Sequence, residues 1–246
     1  MVPDLTARSI VMVSPHPDDV CFSIAGVAAT TQVGHLVTVC TRSAFITGPP
    51  WRANADEVTR ARTTEDVLFC AQLGLRRHPL GHPDTSVRST GADMRDAAGD
   101  ENAMVACIAD QLAAVLAELS DPLCLAPLGI GGHIDHEVAR EGAIRAAANT
   151  GAAIGFYEDL PYLVEVGTAL AEVFAAQVMD SPVAVDHVSA LTLVDKLALM
   201  DGYRSQVSNE VRRAVRARSA QIVPHPYLAE RLWFAAEETA PGGRST

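Results

Sequence analysis

The 246-residue chain carries a formal net charge of −11 and a pI of about 5.1, which argues against the basic face that sequence-independent nucleic-acid binding needs. Hydrophobic residues make up 48% of it, enough for a large core and too many for a disordered chain. Its cysteines, Cys21, Cys40, Cys70, Cys107 and Cys124, are scattered in apolar contexts, which argues against a disulfide framework or a CxxC metal site and fits a reducing compartment.

Residues 9–13 form an apolar, non-alternating run of strand length, expected to be buried on both faces. Ser14-Pro15-His16-Pro17-Asp18-Asp19 follows as a strand-to-helix turn stiffened by its prolines. A helix is predicted from Asp19 or Val20 to Gln32, with Gly34 as its stop. Residues 36–40 read as a strand and 41–53 as a loop long and polar enough to rim a site. A helix over 56–73 stops at Gly74, and a short strand over 78–80 leads into loops over 81–84 and 86–100. A helix over 102–119 and a short strand over 123–127 precede Gly129-Ile130-Gly131-Gly132, which opens on His133-Ile134-Asp135-His136. A helix over 137–148, a strand over 153–157 and a polar turn over 158–162 come next. A helix over 170–178, a strand over 183–185 and a helix over 191–203 follow. Beyond Asn209 one or two helical pieces are expected, with a frayed tail from about residue 240. Arg212, Arg213, Arg216 and Arg218 read as the solvated face of a helix.

Strands alternating with helices, without repeat or linker, predict one α/β domain over 1–246, its mostly parallel sheet doubly wound with helices on both faces. No signal-like opening and no bilayer-length apolar run is present, so a soluble, cytoplasmic protein is expected.

The two turns with histidines both follow predicted parallel strands, and ligands of open α/β sheets gather at that edge. His16 and Asp19 stand three apart, as do His133 and His136. Two imidazoles and one carboxylate suit zinc with a position left open, and Fe²⁺ equally. Of Asp18 and Asp19 one is expected to bind the ion and the other to act as base. His133 and His136 can divide the roles of ligand and oxyanion donor, and Asp135 between them can fix an imidazole tautomer. These parts describe metal-assisted hydrolysis of an amide or ester. The plain alternative is that Asp18 and Asp19 only cap a helix. A nucleotide-binding module is disfavoured, because the first turn has no glycine. Among the other histidines, His82 with Asp84 is the strongest decoy. His35, His78, His187 and His225 read as ordinary core or surface residues.

Pro15-His16-Pro17-Asp18-Asp19 together with Gly132-His133-Ile134-Asp135-His136 resembles the PIG-L (LmbE-like) family of zinc-dependent N-deacetylases. Residues 62–74, 157–162 and 203–206 resemble further segments of it. The resemblance implies a Rossmann-like fold and removal of an N-acetyl group from an amino sugar or N-acetylglucosaminyl conjugate, in antibiotic or other secondary-metabolite biosynthesis. It implies His16, Asp19 and His136 as metal ligands, Asp18 as general base, and His133 as the group that stabilises the oxyanion or protonates the amine. Asp135 would tune His133, and Arg62 and Asp84 would contact substrate. The expected partner is a small-molecule or glycoconjugate substrate, with a second copy of the chain as a further candidate. The alternative within the family is cleavage of a bulkier amide in a mycothiol S-conjugate. Many members carry glutamate where this chain has Val20.

Overall fold

The computed structural model describes residues 5–47, 54–88 and 101–236. In chain order its elements are β1 (Ser9–Ser14), α1 (Asp19–Thr30), β2 (Val33–Arg42), α2 (Ala55–Leu73), β3 (Arg76–Pro83), α3 (Thr85–Arg88) and α4 (Glu101–Ala117). They continue with β4 (Pro122–Pro127), α5 (Ile134–Thr150), β5 (Ala153–Tyr157), α6 (Tyr162–Val166), α7 (Ala171–Val178), β6 (Pro182–Thr192), α8 (Leu193–Met200), α9 (Asn209–Ile222) and β7 (Tyr227–Ala235). Among the described residues the strands form one sheet in the order β3-β2-β1-β4-β5-β7-β6.

The pairs from β3 to β5 are parallel, and β7 runs antiparallel to both β5 and β6. The chain steps outward from β1 to β3 and then returns to β4 and β5 on the other side. Right-handed crossovers therefore put α1 and α2 on one face and α4 and α5 on the opposite one. Consistently, α4 packs on α5, and α1 on α2 and α8. The doubly wound, mostly parallel α/β sheet predicted from the sequence is present, with an antiparallel flank added. β1 lies at its centre: Met12 sits beside Leu36 of β2 and Leu125 of β4, and all three are fully buried. Apolar residues fill it because both faces are covered.

Several boundaries differ from expectation. Gly34 lies inside β2 rather than stopping α1, and a Cβ there would meet Leu75 Cδ2 at 2.5 Å. Gly74 does end α2, in the left-handed conformation. β3 is longer than residues 78–80 and carries prolines, which an edge strand tolerates. β6 extends to Thr192, whose hydroxyl forms a capping box with Asp195 and so delays α8. Two short helices, α3 and α6, stand where a loop and a turn were expected. The largest correction is β7, where helical pieces were expected. Leu228 and Leu232 have helical spacing, but Glu230 between them is buried as part of an ion pair.

That ion pair repairs a break in α1. Ile24 has φ −135° and ψ 36°, which opens the helix. Glu230 accepts the freed N–H groups of Gly26 and Val27 at 3.0 and 2.9 Å. Lys196 donates to the Ser23 carbonyl at 3.1 Å and to Glu230 at 2.7 Å. The arginine cluster on α9 is also only partly solvated. Arg213 pairs with Glu210 at the surface, whereas Arg218 is buried and forks onto Glu158, which also accepts from Trp233 Nε1. Residues 48–53, 89–100 and 237–246, parts of the two predicted loops and the predicted tail, lie outside the described residues.

Candidate metal and active site

β1 pairs with β2 on one side and with β4 on the other, so the turns leaving β1 and β4 face each other at the point where the winding of the sheet reverses. The first turn is pinned by its own polar groups. Ser14 Oγ donates to the His16 carbonyl at 2.5 Å and accepts from Val20 N–H at 3.2 Å. Asp19 Oδ2 accepts from His16 N–H at 2.7 Å. Asp18 occupies the N-cap of α1 but makes no side-chain capping bond, so the carboxylate pair does not serve as an ordinary cap. Val20 is fully buried in the core. In the second turn Gly129, Gly131 and Gly132 have φ of 77°, 90° and 69°, which bends the chain back to present His133 and His136. A Cβ on Gly131 would also lie 3.0 Å from Tyr162 Cβ.

Nitrogen and oxygen donors from both turns converge. His16 Nδ1 and His136 Nε2 lie 3.2 and 3.4 Å from Asp19 Oδ2, and the three residues offer ligand atoms within 4.8 Å of one another. The outer nitrogens are anchored: His16 Nε2 lies 3.1 Å from Asp135 Oδ2, and His136 Nδ1 lies 2.6 Å from Asp159 Oδ1. Each imidazole therefore turns its other ring nitrogen inward. His136 Nε2 is buried without a hydrogen-bond partner, a costly state that a divalent cation would relieve. The donor set fits the ion that two imidazoles and a carboxylate call for.

The Asp135 carboxylate makes no hydrogen bond to His133, and acts on that ring through its charge, which favours the cationic form. That carboxylate holds His16, accepts Thr85 N–H at 2.9 Å and pairs with Arg88 at 2.6 Å. His133 instead caps α5, its Nδ1 accepting from Asp135 N–H at 3.2 Å. The neutral ring then carries its proton on Nε2.

Charge in the site is divided unevenly. Burial disfavours a cationic His16, but hydrogen bonds to Asp135 and Asp19 outweigh it and lift the ring to about 10. Burial pushes His133 down to about 3, helped by the neighbouring His16 and His136. Burial alone would raise Asp19, yet His136 and His16 hold it well below the usual carboxylate range. Asp18 moves the other way: burial raises it, Asp19 adds to the rise, and Arg62 only partly opposes.

Arg62 donates to Asp18 Oδ1 at 2.7 Å and to Ser43 Oγ at 3.0 Å, and is 3% exposed. Asp84 accepts from Ser86 Oγ at 2.5 Å and from Val87 N–H at 3.2 Å. Both border the cavity; the two terminal nitrogens of Arg62 are engaged within the protein, while its Nε is buried without a hydrogen-bond partner. The cavity measures about 330 Å³, with His16, Asp18, Asp19 and His133 on one side and Phe45, Tyr162, Gln206 and Val211 among its other walls. Phe45 and Thr47 belong to the loop after β2 and bring part of that loop to the rim, as expected. His82 is outside the site, 2.8 Å from Gln111 Oε1. His35 stacks on His78, and His187 lies against Thr30. Asp159 and Arg88 were missed. A polar Glu158-Asp159 pair closing an apolar strand was the available signal for the first; nothing local marked the second.

A family model described as GlcNAc-PI de-N-acetylase, PIG-L, matches residues 11–147. A 2'-N-acetylparomamine deacetylase of Streptomyces fradiae is 34% identical over 173 residues, 65% of this chain, and the match spans 62% of that relative's length. Among solved structures, the zinc-inhibited form of teicoplanin deacetylase Orf2 aligns over 91% of this chain and 96% of its own, with 22% identity and a TM-score of 0.70. The A40926 pseudoaglycone deacetylase Dbv21 aligns over 95% and 100%, with 25% identity and a TM-score of 0.68. Since the family model covers more than half of the sequence and both histidine turns, the chain belongs to the PIG-L family.

Proposed function

We propose that this protein is a zinc-dependent hydrolase that removes the N-acetyl group from an amino sugar or N-acetylglucosaminyl conjugate in antibiotic biosynthesis. The observation that carries the reading is the convergence of His16 Nδ1, His136 Nε2 and Asp19 beside an acid–base group outside that donor set, Asp18, in a chain of this family. The similarity to a 2'-N-acetylparomamine deacetylase supports an amino-sugar substrate. The choice of zinc rests on the donor set, which suits Fe²⁺ as well; one structural relative is described in a zinc-inhibited form.

His16, Asp19 and His136 would hold the ion. When bound, it would supply Lewis-acid polarisation of the acyl carbonyl and acidify a water. Asp18, raised by burial, takes the proton of the attacking water. Arg62 holds the Asp18 carboxylate in place through its 2.7 Å bond. His133, neutral with its proton on Nε2, donates a hydrogen bond to the developing oxyanion. Protonated Asp18 can then return its proton to the departing amine.

A cavity of about 330 Å³ is at the small end for ligand sites, which favours an acetyl group over the bulky acyl of a mycothiol-type conjugate. The whole chain is read as one domain acting on a small molecule or glycoconjugate in the cytoplasm. No helix among the described residues is long and apolar enough to cross a membrane. The test is a zinc-loaded protein offered N-acetyl and bulky N-acyl forms of the same amino sugars, with release of free amine as the readout. Release from acetyl substrates alone supports the reading; release from bulky substrates alone overturns it in favour of the amidase.

A further inference from the structure

His16 presents two ring edges, and only one is used by the proposed ion. On the other edge, His16 Nε2, the Cys40 thiol and the Asp135 carboxylate offer ligand atoms within 4.8 Å of one another, all buried. Cys40 is aimed there by the backbone. Register irregularities flank it in the pairing of β2 with β3, and its N–H donates to the Pro15 carbonyl at 2.8 Å. Of the free cysteines, it is the one joined to a ligating cluster among the described residues.

We infer that His16 Nε2, Cys40 and Asp135 form a second cation site, specific for a soft divalent ion such as cadmium or excess zinc. A thiolate with an imidazole and a single carboxylate selects thiophilic ions over magnesium or calcium. Uptake ionises the Cys40 S–H bond and removes the His16 Nε2 proton, and both protons leave to solvent. With the proposed first site filled as well, His16 would have to give up both ring protons, so the second ion would bind more weakly than the first. It reaches the site past His16, which borders the cavity, because Cys40 and Asp135 are shut off from solvent. The inference rests on the proposed first site only in sharing His16.

The test uses full-length protein carrying Cys107→Ser, which removes the exposed thiol, loaded with one equivalent of zinc and titrated with cadmium. The expected result is a further equivalent of bound metal and a thiolate-to-cadmium charge-transfer band in the ultraviolet. Adding Cys40→Ser should abolish both while leaving the first equivalent in place. No band, or a band that survives Cys40→Ser, overturns the inference. If Cys40→Ser and Cys40→Ala both fail to fold, cadmium NMR of the protein with Cys40 intact decides. A resonance in the sulfur-coordinated range supports the site, and only oxygen- and nitrogen-coordinated resonances contradict it. None of these readouts needs a hydrolysable substrate, so they stand if the deacetylase reading falls.

Discussion

His16 Nε2 and Asp135 Oδ2 are joined at 3.1 Å across 119 residues of chain. The bond links the turn after β1 to the first turn of α5, and it fixes which nitrogen of His16 faces Asp19. Asp135→Asn keeps the shape but loses the anionic acceptor. Partners of this kind are worth roughly 10- to 100-fold in metal affinity. Zinc affinity measured by competition with a chromophoric chelator should fall by about that factor, and unchanged affinity would remove Asp135 from the account.

Asp18 is predicted to matter for turnover and not for metal content. Asp18→Asn should bind zinc like the parent protein, while kcat falls by roughly 100- to 10,000-fold. Metal analysis and single-turnover amine release on the same sample separate the two. Loss of zinc together with activity would make Asp18 a ligand instead.

Removing Arg62 should do more than lower activity. Arg62→Leu leaves the Asp18 carboxylate buried without its cation, which costs about 3–5 kcal/mol when one partner of a buried pair is lost. Chemical denaturation of metal-free protein should show a drop of that order. A loss confined to KM, at full stability, would instead support the expected role as a substrate contact.

Metal uptake should be proton-linked. In the metal-free protein His16 is raised from 6.5 to about 10, so its contribution to stability is complete below pH 6.5 and disappears as pH rises through 10. An ion must displace that proton. Apparent zinc affinity should therefore climb about tenfold per pH unit for each proton released, levelling off near pH 10. Calorimetry in buffers of different ionisation enthalpy counts the protons, and a buffer-independent heat would contradict a cationic His16.

The break in α1 makes a prediction away from the site. Lys196→Met strands buried Glu230, and unfolding by denaturant should show a loss of about 3–5 kcal/mol. Lys196→Met with Glu230→Gln should lose less, since the amide oxygen can still accept from Gly26 or Val27. Equal losses in both variants would mean that charge is not what the break requires.

The central strands were legible because β1 and β4 are unbroken apolar runs, and the two histidine turns because their residue types stand out beside them. β7 was not, since Glu230 and Arg231 interrupt its apolar pattern and their partners lie far away in sequence. The pairing of Asp135 shows the same limit. Adjacency suggested His133, but the helix start sends that backbone N–H to His133 and turns the carboxylate toward His16. Asp159 and Arg88 act through contacts that only the packed sheet creates.

The claim on which the rest depends is that the turns after β1 and β4 grip one ion between them. X-ray absorption on protein loaded with a single equivalent of zinc tests it directly. The account predicts imidazole nitrogens and oxygens without sulfur, and loss of one imidazole shell in His136→Ala. A sulfur ligand in the first equivalent, or a spectrum unchanged by His136→Ala, would contradict it.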